Sequence, residues 1–244
     1  MKELVRKILL FICVCVFCYS AYQLLDIYLN YKNIEKQSAE LVETYVKEPK
    51  NEEKAKPEER IVDFKELQKK NKDVIGWLYI PDTNIDEPIL KGENNDTYLR
   101  TGIDHRSNSA GQVFIDEMNN KDFNDDNTII YGHNMKNGSR FHNLRYYMKK
   151  EFFEEKSLVY IFLPNQSVNI YEVFSARVID ASSHLYQKDI DYKTYVKEVT
   201  SKARQCKEVS DEEAPLIMLS TCYDAGSDDR YVVFGRLKEN IKQK

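Results

Sequence analysis

Leu216-Ile217-Met218-Leu219-Ser220-Thr221-Cys222 is an apolar run that turns polar at its end. A short run of this kind reads as a buried strand whose last residues reach solvent, and a rigid strand end is a good place to present a reactive side chain. Strand alternation puts Met218, Ser220 and Cys222 on one face and Leu219 and Thr221 on the other. Tyr223 to Asp229 follow, with the turn-forming Asp224, Gly226, Ser227 and Asp228, and Arg230-Tyr231-Val232-Val233-Phe234 then begins a second apolar strand. A hairpin through that turn sets Arg230 across from Cys222.

Upstream, Trp77–Ile80, Ile85–Leu90, Gly111–Ile115, Thr128–Tyr131, Leu158–Leu163 and Val168–Val178 are rich in Ile, Val, Tyr and Phe, and many are separated by Asn, Asp, Gly or Pro. The pattern is mainly β with added helices, a barrel or a sandwich. Helical spacing marks Ile61, Phe64 and Leu67 in a short N-terminal helix. It also marks Phe141, Leu144, Met148 and Phe152 within Arg140–Phe153, and Tyr195, Val199 and Ala203 within Tyr192 to about Lys207.

The N-terminal part obeys different rules. Residues 8 to 25 carry no charge, and Lys2, Arg6 and Lys7 stand immediately before them. This is the pattern of a single-pass membrane anchor with its basic end in the cytoplasm, and it divides the chain into a cytoplasmic tip (1–7), an anchor (8–30) and an extracellular remainder. A cleaved signal peptide is the competing reading, but no clear small-residue cleavage site follows. Residues 31–60 are mostly Glu, Lys, Gln and Asn, interrupted by Pro49 and Pro57. A segment so charged cannot bury a core of its own, so it reads as a frayed helix or flexible stalk before a folded domain at 61–244.

Of 244 residues five are Cys, and Cys13, Cys15 and Cys18 lie in the anchor. Only Cys206 and Cys222 remain outside, too few for a disulfide-stapled scaffold. Cys206, among Lys202, Arg204 and Lys207, suits a packing role on the last helix. The net charge of −4, with acids and bases mixed along the surface, argues against a nucleic-acid partner, and no Cys/His spacing suits a metal or other cofactor.

Four histidines are present, and only His133 stands at the end of a β-rich run, Thr128-Ile129-Ile130-Tyr131-Gly132-His133. An ordinary thiol is only about 3% thiolate at pH 7, so a cysteine nucleophile needs a base or cation beside it. His133 can serve as either. Arg230 is permanently charged and offers only donors, so its useful partner is a carbonyl oxygen becoming negative. Each residue taken singly has a plainer reading: a buried strand cysteine, a structural histidine, and a surface arginine paired to Asp228 or Asp229.

Taken together, Leu219-Ser220-Thr221-Cys222, Arg230 in the following strand and Tyr131-Gly132-His133 upstream resemble the sortase signature, over residues 61 to 237. The family motif reads Thr-Leu-x-Thr-Cys, and Met218 replaces its first Thr. The single N-terminal anchor, the helix before the first strand and the long helical connection between Val178 and Leu216 are similar to class B members. The resemblance implies a closed β-barrel of about eight strands, with an N-terminal helix and a helix before the Cys-bearing strand. It also implies a thiol transpeptidase of the Gram-positive cell membrane that needs no cofactor. Cys222 would attack an Asn-Pro-x-Thr-x-like sorting motif of secreted surface proteins, with His133 and Arg230 assisting, and pass the thioacyl group to a peptidoglycan-precursor amine. Asn95, Tyr131, Ser182, Tyr186 and Ser220 fall where substrate-groove residues of such an enzyme are expected, whereas Tyr98 and Leu99 read as core.

Two other readings stay open on residues alone. Another extracellular cysteine peptidase is one, although papain-like enzymes place Cys before His and at a helix start. The other is a non-catalytic, membrane-anchored binding domain with an inert Cys222.

Overall fold

The structure, a computed structural model, describes residues 2–49, 55–224 and 226–243. Two compact units are present, Met1–Glu40 and Leu41–Lys244. The first is formed by most of α1 (Lys2–Tyr45), a helix long and apolar enough to cross a membrane. Leu9, Phe11, Phe17 and Leu24 all stand exposed on it. A helix that is apolar all round needs an apolar surround, which a bilayer supplies.

The second unit opens with β1 (Val46–Lys47) paired antiparallel to β2 (Ile61–Val62), followed by α2 (Phe64–Lys70). Asp63 caps α2 by accepting from the Glu66 N–H at 3.1 Å. The strands that follow are β3 (Val74–Tyr79), β4 (Asp86–Leu90), β5 (Val113–Ile115) and β6 (Asn127–Tyr131). A 3₁₀ helix (Phe141–Met148) and α3 (Lys150–Glu155) lead to β7 (Leu158–Phe162) and the long β8 (Ser167–Asp180). Then come α4 (Tyr192–Ser201), β9 (Gln205–Cys206), β10 (Leu216–Cys222) and β11 (Asp229–Lys242).

The sheet order is β11-β10-β6-β5-β4-β3-β7-β8-β9, and β11 also pairs with β8. That last pairing closes eight strands into a barrel and leaves β9 as an extra edge strand. Alternation along β10 sorts its side chains as the pattern requires. Ile217 and Leu219 join Ile130, Tyr171 and Val233 in one apolar cluster, while Leu216 and Met218 join Ile129, Phe174 and Phe234 in a second, covered by Tyr195 and Val199 of α4. Met218, where the family motif has Thr, is fully buried there.

The structure differs from several local expectations. The second compact unit takes in residues from Leu41 onward. Leu41, Val46 and Val62 are buried against Phe64 and Leu67, and Arg60, itself buried, reaches Glu48 and Asp86 at 2.7 Å each. These few apolar residues are diluted among charges, which made the segment read as stalk. Of that segment, residues 50–54 lie outside the described residues. Ile61 belongs to β2 and is exposed.

The single helix expected over Arg140–Phe153 is a 3₁₀ helix and a short α-helix, broken at the extended Lys149. Phe141, Leu144 and Tyr147, all fully buried, recur every three residues, which is the 3₁₀ period. The last helix stops at Ser201, because Arg204 and Lys207 donate their backbone N–H groups to Ala176 and Phe174 and draw the chain onto the β8 edge. Cys206 therefore sits in β9 with a free, exposed thiol and has no packing role.

Burying a Leu and a Val contributes roughly 1.5–3 kcal/mol each. A chain beginning at Leu41 should therefore melt about 10 °C above one beginning at Ile61, as measured by calorimetry. Equal melting temperatures would place the boundary at Ile61 after all.

Candidate active site

Topology brings distant segments to one end of the barrel. β10 runs parallel to β6, with Ser220 opposite Tyr131, so both strands finish on the same side. β11 runs antiparallel to β10 and places Arg230 directly opposite Cys222, as the hairpin predicted. Gly132, one residue past β6, donates its N–H to the Ser220 carbonyl at 3.2 Å. A Cβ here would meet the Phe141 ring at 2.7 Å, so only glycine lets the chain pass beneath that ring and deliver His133.

These segments line a cleft of about 370 Å³. Cys222, His133 and Arg230 all border it, together with Asn95, Leu99, Tyr131, Tyr186, Ser220 and Thr221. Of the residues expected from the sequence, Ser182 is outside this lining; its hydroxyl bonds to the Asp180 carboxylate and Ala181 faces the cleft instead. Tyr98 is core, as expected, but Leu99 is 37% exposed.

Cys222 is a free, half-buried thiol. The His133 Nε2 lies 2.7 Å from the Leu99 carbonyl oxygen. A carbonyl can only accept, so Nε2 carries a proton and Nδ1 is the nitrogen left for proton exchange. Burial pushes the His133 pKa down, the Leu99 carbonyl opposes this, and the positive charges of Arg100 and Arg140 add to the depression. Arg140 stays nearby because its guanidinium is pinned in the interior, 2.6 Å from Glu87 and 2.9 Å from the Gly111 carbonyl.

Arg230 makes no ion pair with Asp228 or Asp229 among the described residues. Its Nη1 instead donates to the carbonyls of Ser227 and Asp229 at 2.8 and 2.9 Å. These bonds hold the guanidinium at the cleft and leave Nε and Nη2 for a ligand.

The cleft wall is organised by a residue the sequence reading passed over. Asp116, buried, accepts from the Tyr131 hydroxyl at 2.8 Å and from Asn95 Nδ2 at 3.0 Å. Burial and the Asp116 charge raise the Tyr131 pKa, so its hydroxyl stays protonated. The Tyr131 ring stacks on Tyr186 at 6.2 Å, and the Tyr186 hydroxyl shares a hydrogen bond of 2.8 Å with Ser220. An Asp after a short apolar run gives no period or motif to flag it. The result is a cleft with an aromatic wall, one thiol, one imidazole and one guanidinium, suited to acyl transfer on an extended peptide.

The sortase domain family matches residues 78–238. Sortase B of Listeria monocytogenes is 36% identical over 187 residues, covering 72% of this chain and 74% of the relative. Sortase B of Staphylococcus aureus is 30% identical over 181 residues, covering 71% and 74%. The solved Staphylococcus aureus sortase B–substrate complex superposes with a TM-score of 0.69 at 26% identity, covering 90% of this chain and 98% of that one. The chain belongs to the sortase family, whose members are cysteine transpeptidases acting on sorting signals. Within that family it stands with the class B enzymes.

The lowered His133 pKa has a consequence for stability. Unfolded, an imidazole titrates near 6.5. As pH falls through about that value the unfolded chain takes up the proton first, so acid favours unfolding. Urea unfolding at pH 7.5 and 5.5 should show lower stability at 5.5 and a smaller loss for His133→Gln. His142, which burial and Arg145 also shift downward, contributes to the loss that remains. Equal losses in parent and variant would mean that His133 is not held neutral by its site.

Proposed function

We propose that Cys222 is the nucleophile of this transpeptidase, His133 its acid/base partner and Arg230 the cation that steadies the reacting carbonyl. The observation that carries the proposal is that Arg230 stands opposite Cys222 at the mouth of a cleft that His133 also borders. His133 Nδ1 takes the proton of the Cys222 thiol, and the resulting thiolate attacks the Thr carbonyl carbon of a sorting motif similar to Asn-Pro-x-Thr-x. The carbonyl electrons move onto oxygen, where the Arg230 donors stabilise them. As the tetrahedral intermediate collapses the C–N bond breaks, and the leaving amine takes a proton from His133 Nδ1. An amine of a peptidoglycan precursor then attacks the thioacyl group, gives its proton to His133 and expels the Cys222 thiolate.

Tyr131, Tyr186, Ser220 and Asn95 form the groove for the motif in this reading, with Leu99 as an apolar contact. Ser182 is left at the rim. The substrate complex of the Staphylococcus aureus relative supports the reading, because that chain shares the fold. Residues 8–30 lie in the bilayer with 1–7 in the cytoplasm and the barrel outside, a placement supported by Lys2, Arg6 and Lys7 before the apolar run.

Arg230→Ala should cost about 3–4 kcal/mol of transition-state stabilisation, roughly a hundred- to a thousandfold in kcat, with little change in KM. Lys keeps the charge but not the planar fork, so Arg230→Lys should recover only part of the rate. Cys222→Ala should be inactive, and Cys206→Ala should stay within a fewfold of the parent. Turnover of a fluorogenic sorting peptide measures all four; full activity in Arg230→Lys would reduce Arg230 to a generic charge, and full activity in Arg230→Ala would remove it from the chemistry.

A further inference from the structure

Backbone pairing between β6 and β10 stops just short of the reacting groups. Its last rungs are Ser220 opposite Tyr131 and the Gly132 N–H on the Ser220 carbonyl. Past that point β6 has ended, and a side chain continues the ladder. Asn134 Nδ2 donates to the carbonyl of Cys222 at 2.9 Å and to that of Tyr223 at 3.1 Å. An amide NH₂ has two hydrogens, and here each has a backbone acceptor.

The other half of the amide is fixed as well. Asn134 Oδ1 lies 2.8 Å from His142 Nδ1. An amide oxygen only accepts, so His142 Nδ1 is the protonated nitrogen. The reverse orientation of the amide would set its oxygen against two carbonyl oxygens, so the network permits one arrangement. The backbone is held too: Asn134 bridges to Arg140, and the Phe141 N–H donates to the His133 carbonyl at 2.9 Å. Asn134 is thus the chain neighbour of His133 and the hydrogen-bonded neighbour of Cys222.

We propose that Asn134, oriented by His142, is a positioning residue that locks the Cys222 peptide in register with His133. The proposal rests on Cys222 and His133 acting as described above. Without this bond the segment that carries the imidazole is tied to β10 only at Ser220, two residues before the thiol, and reactive groups misplaced by about an ångström lose much of their rate while binding is spared.

The test uses the full chain in detergent with a fluorogenic sorting peptide and measures kcat, KM and the thermal midpoint. Asn134→Ala and Asn134→Asp should each lower kcat about tenfold to a hundredfold, with KM within about threefold of the parent. The Asp variant is nearly isosteric, but its carboxylate faces carbonyl oxygens and donates nothing. His142→Ala should lose less, roughly three- to tenfold in kcat, because Asn134 stays in place but turns freely. His142→Asn should recover most of that loss, since its Nδ2 occupies the place of the imidazole Nδ1.

If Asn134→Ala turns over within about twofold of the parent while Cys222→Ala is inactive, the positioning role is wrong and the nucleophile assignment stands. Turnover by Cys222→Ala would remove the underlying reading instead. Should Asn134→Ala fail to fold, Asn134→Asp and the two His142 variants decide. A joint change of kcat, KM and melting temperature with no recovery in His142→Asn would make Asn134 a general stabiliser and overturn the proposal.

Discussion

The short parallel pairing of β6 with β10 is the constraint on which the rest of the site depends. Residues 127–131 lie far from 216–220 in the chain, yet parallel register brings the ends of both strands to one rim. Antiparallel strands cannot do this, because the end of one meets the beginning of the other. The β10–β11 hairpin supplies what the parallel pair cannot, a strand beginning at the same rim, and its first residues carry Arg230. The closure of β11 on β8 then fixes the third side, where Ala181 and Tyr186 enter the cleft.

Around that rim no carboxylate among the described residues hydrogen-bonds to the imidazole. The His133 ring bonds to a backbone carbonyl, and the nearby cations Arg100 and Arg140 disfavour its charged form, as does burial. Such a ring releases a proton readily once it has one, which suits it to protonate a leaving amine. Arg230 is held by carbonyls and makes no ion pair among the described residues, so its positive charge is only weakly offset, by Asp180. Asp116 does the opposite work at the wall: its charge is spent on Tyr131 and Asn95, fixing shape at a distance from the thiol.

The sequence made legible what is local or periodic. The strands of the barrel, the Cys222–Arg230 hairpin and the sorting of alternate β10 residues into two apolar clusters all follow from short-range pattern. His133 stood out by its place at the end of a β-rich run, but its position beside Cys222 was not legible, because nothing in the spacing of the two segments encodes a parallel pair. Asp116, Asn134 and the Leu99 carbonyl were invisible for a related reason: their roles are hydrogen bonds across the tertiary structure, and a carbonyl has no side-chain identity at all. Two departures from the α-helical pattern have related causes. Phe141–Met148 takes a spacing of three. At Cys206, edge pairing with β8 overrides helical propensity.

The transpeptidase chemistry proposed for this site requires a covalent intermediate at Cys222. Incubating the protein with a sorting-motif peptide in the absence of acceptor amine, followed by intact-mass and peptide-mapping mass spectrometry, tests it most directly. The predicted result is a thioacyl adduct on Cys222, equal in mass to the peptide up to its Thr, that disappears when amine is added and yields the amide product. An adduct on Cys206, or cleavage with no adduct and no amide product, would contradict it.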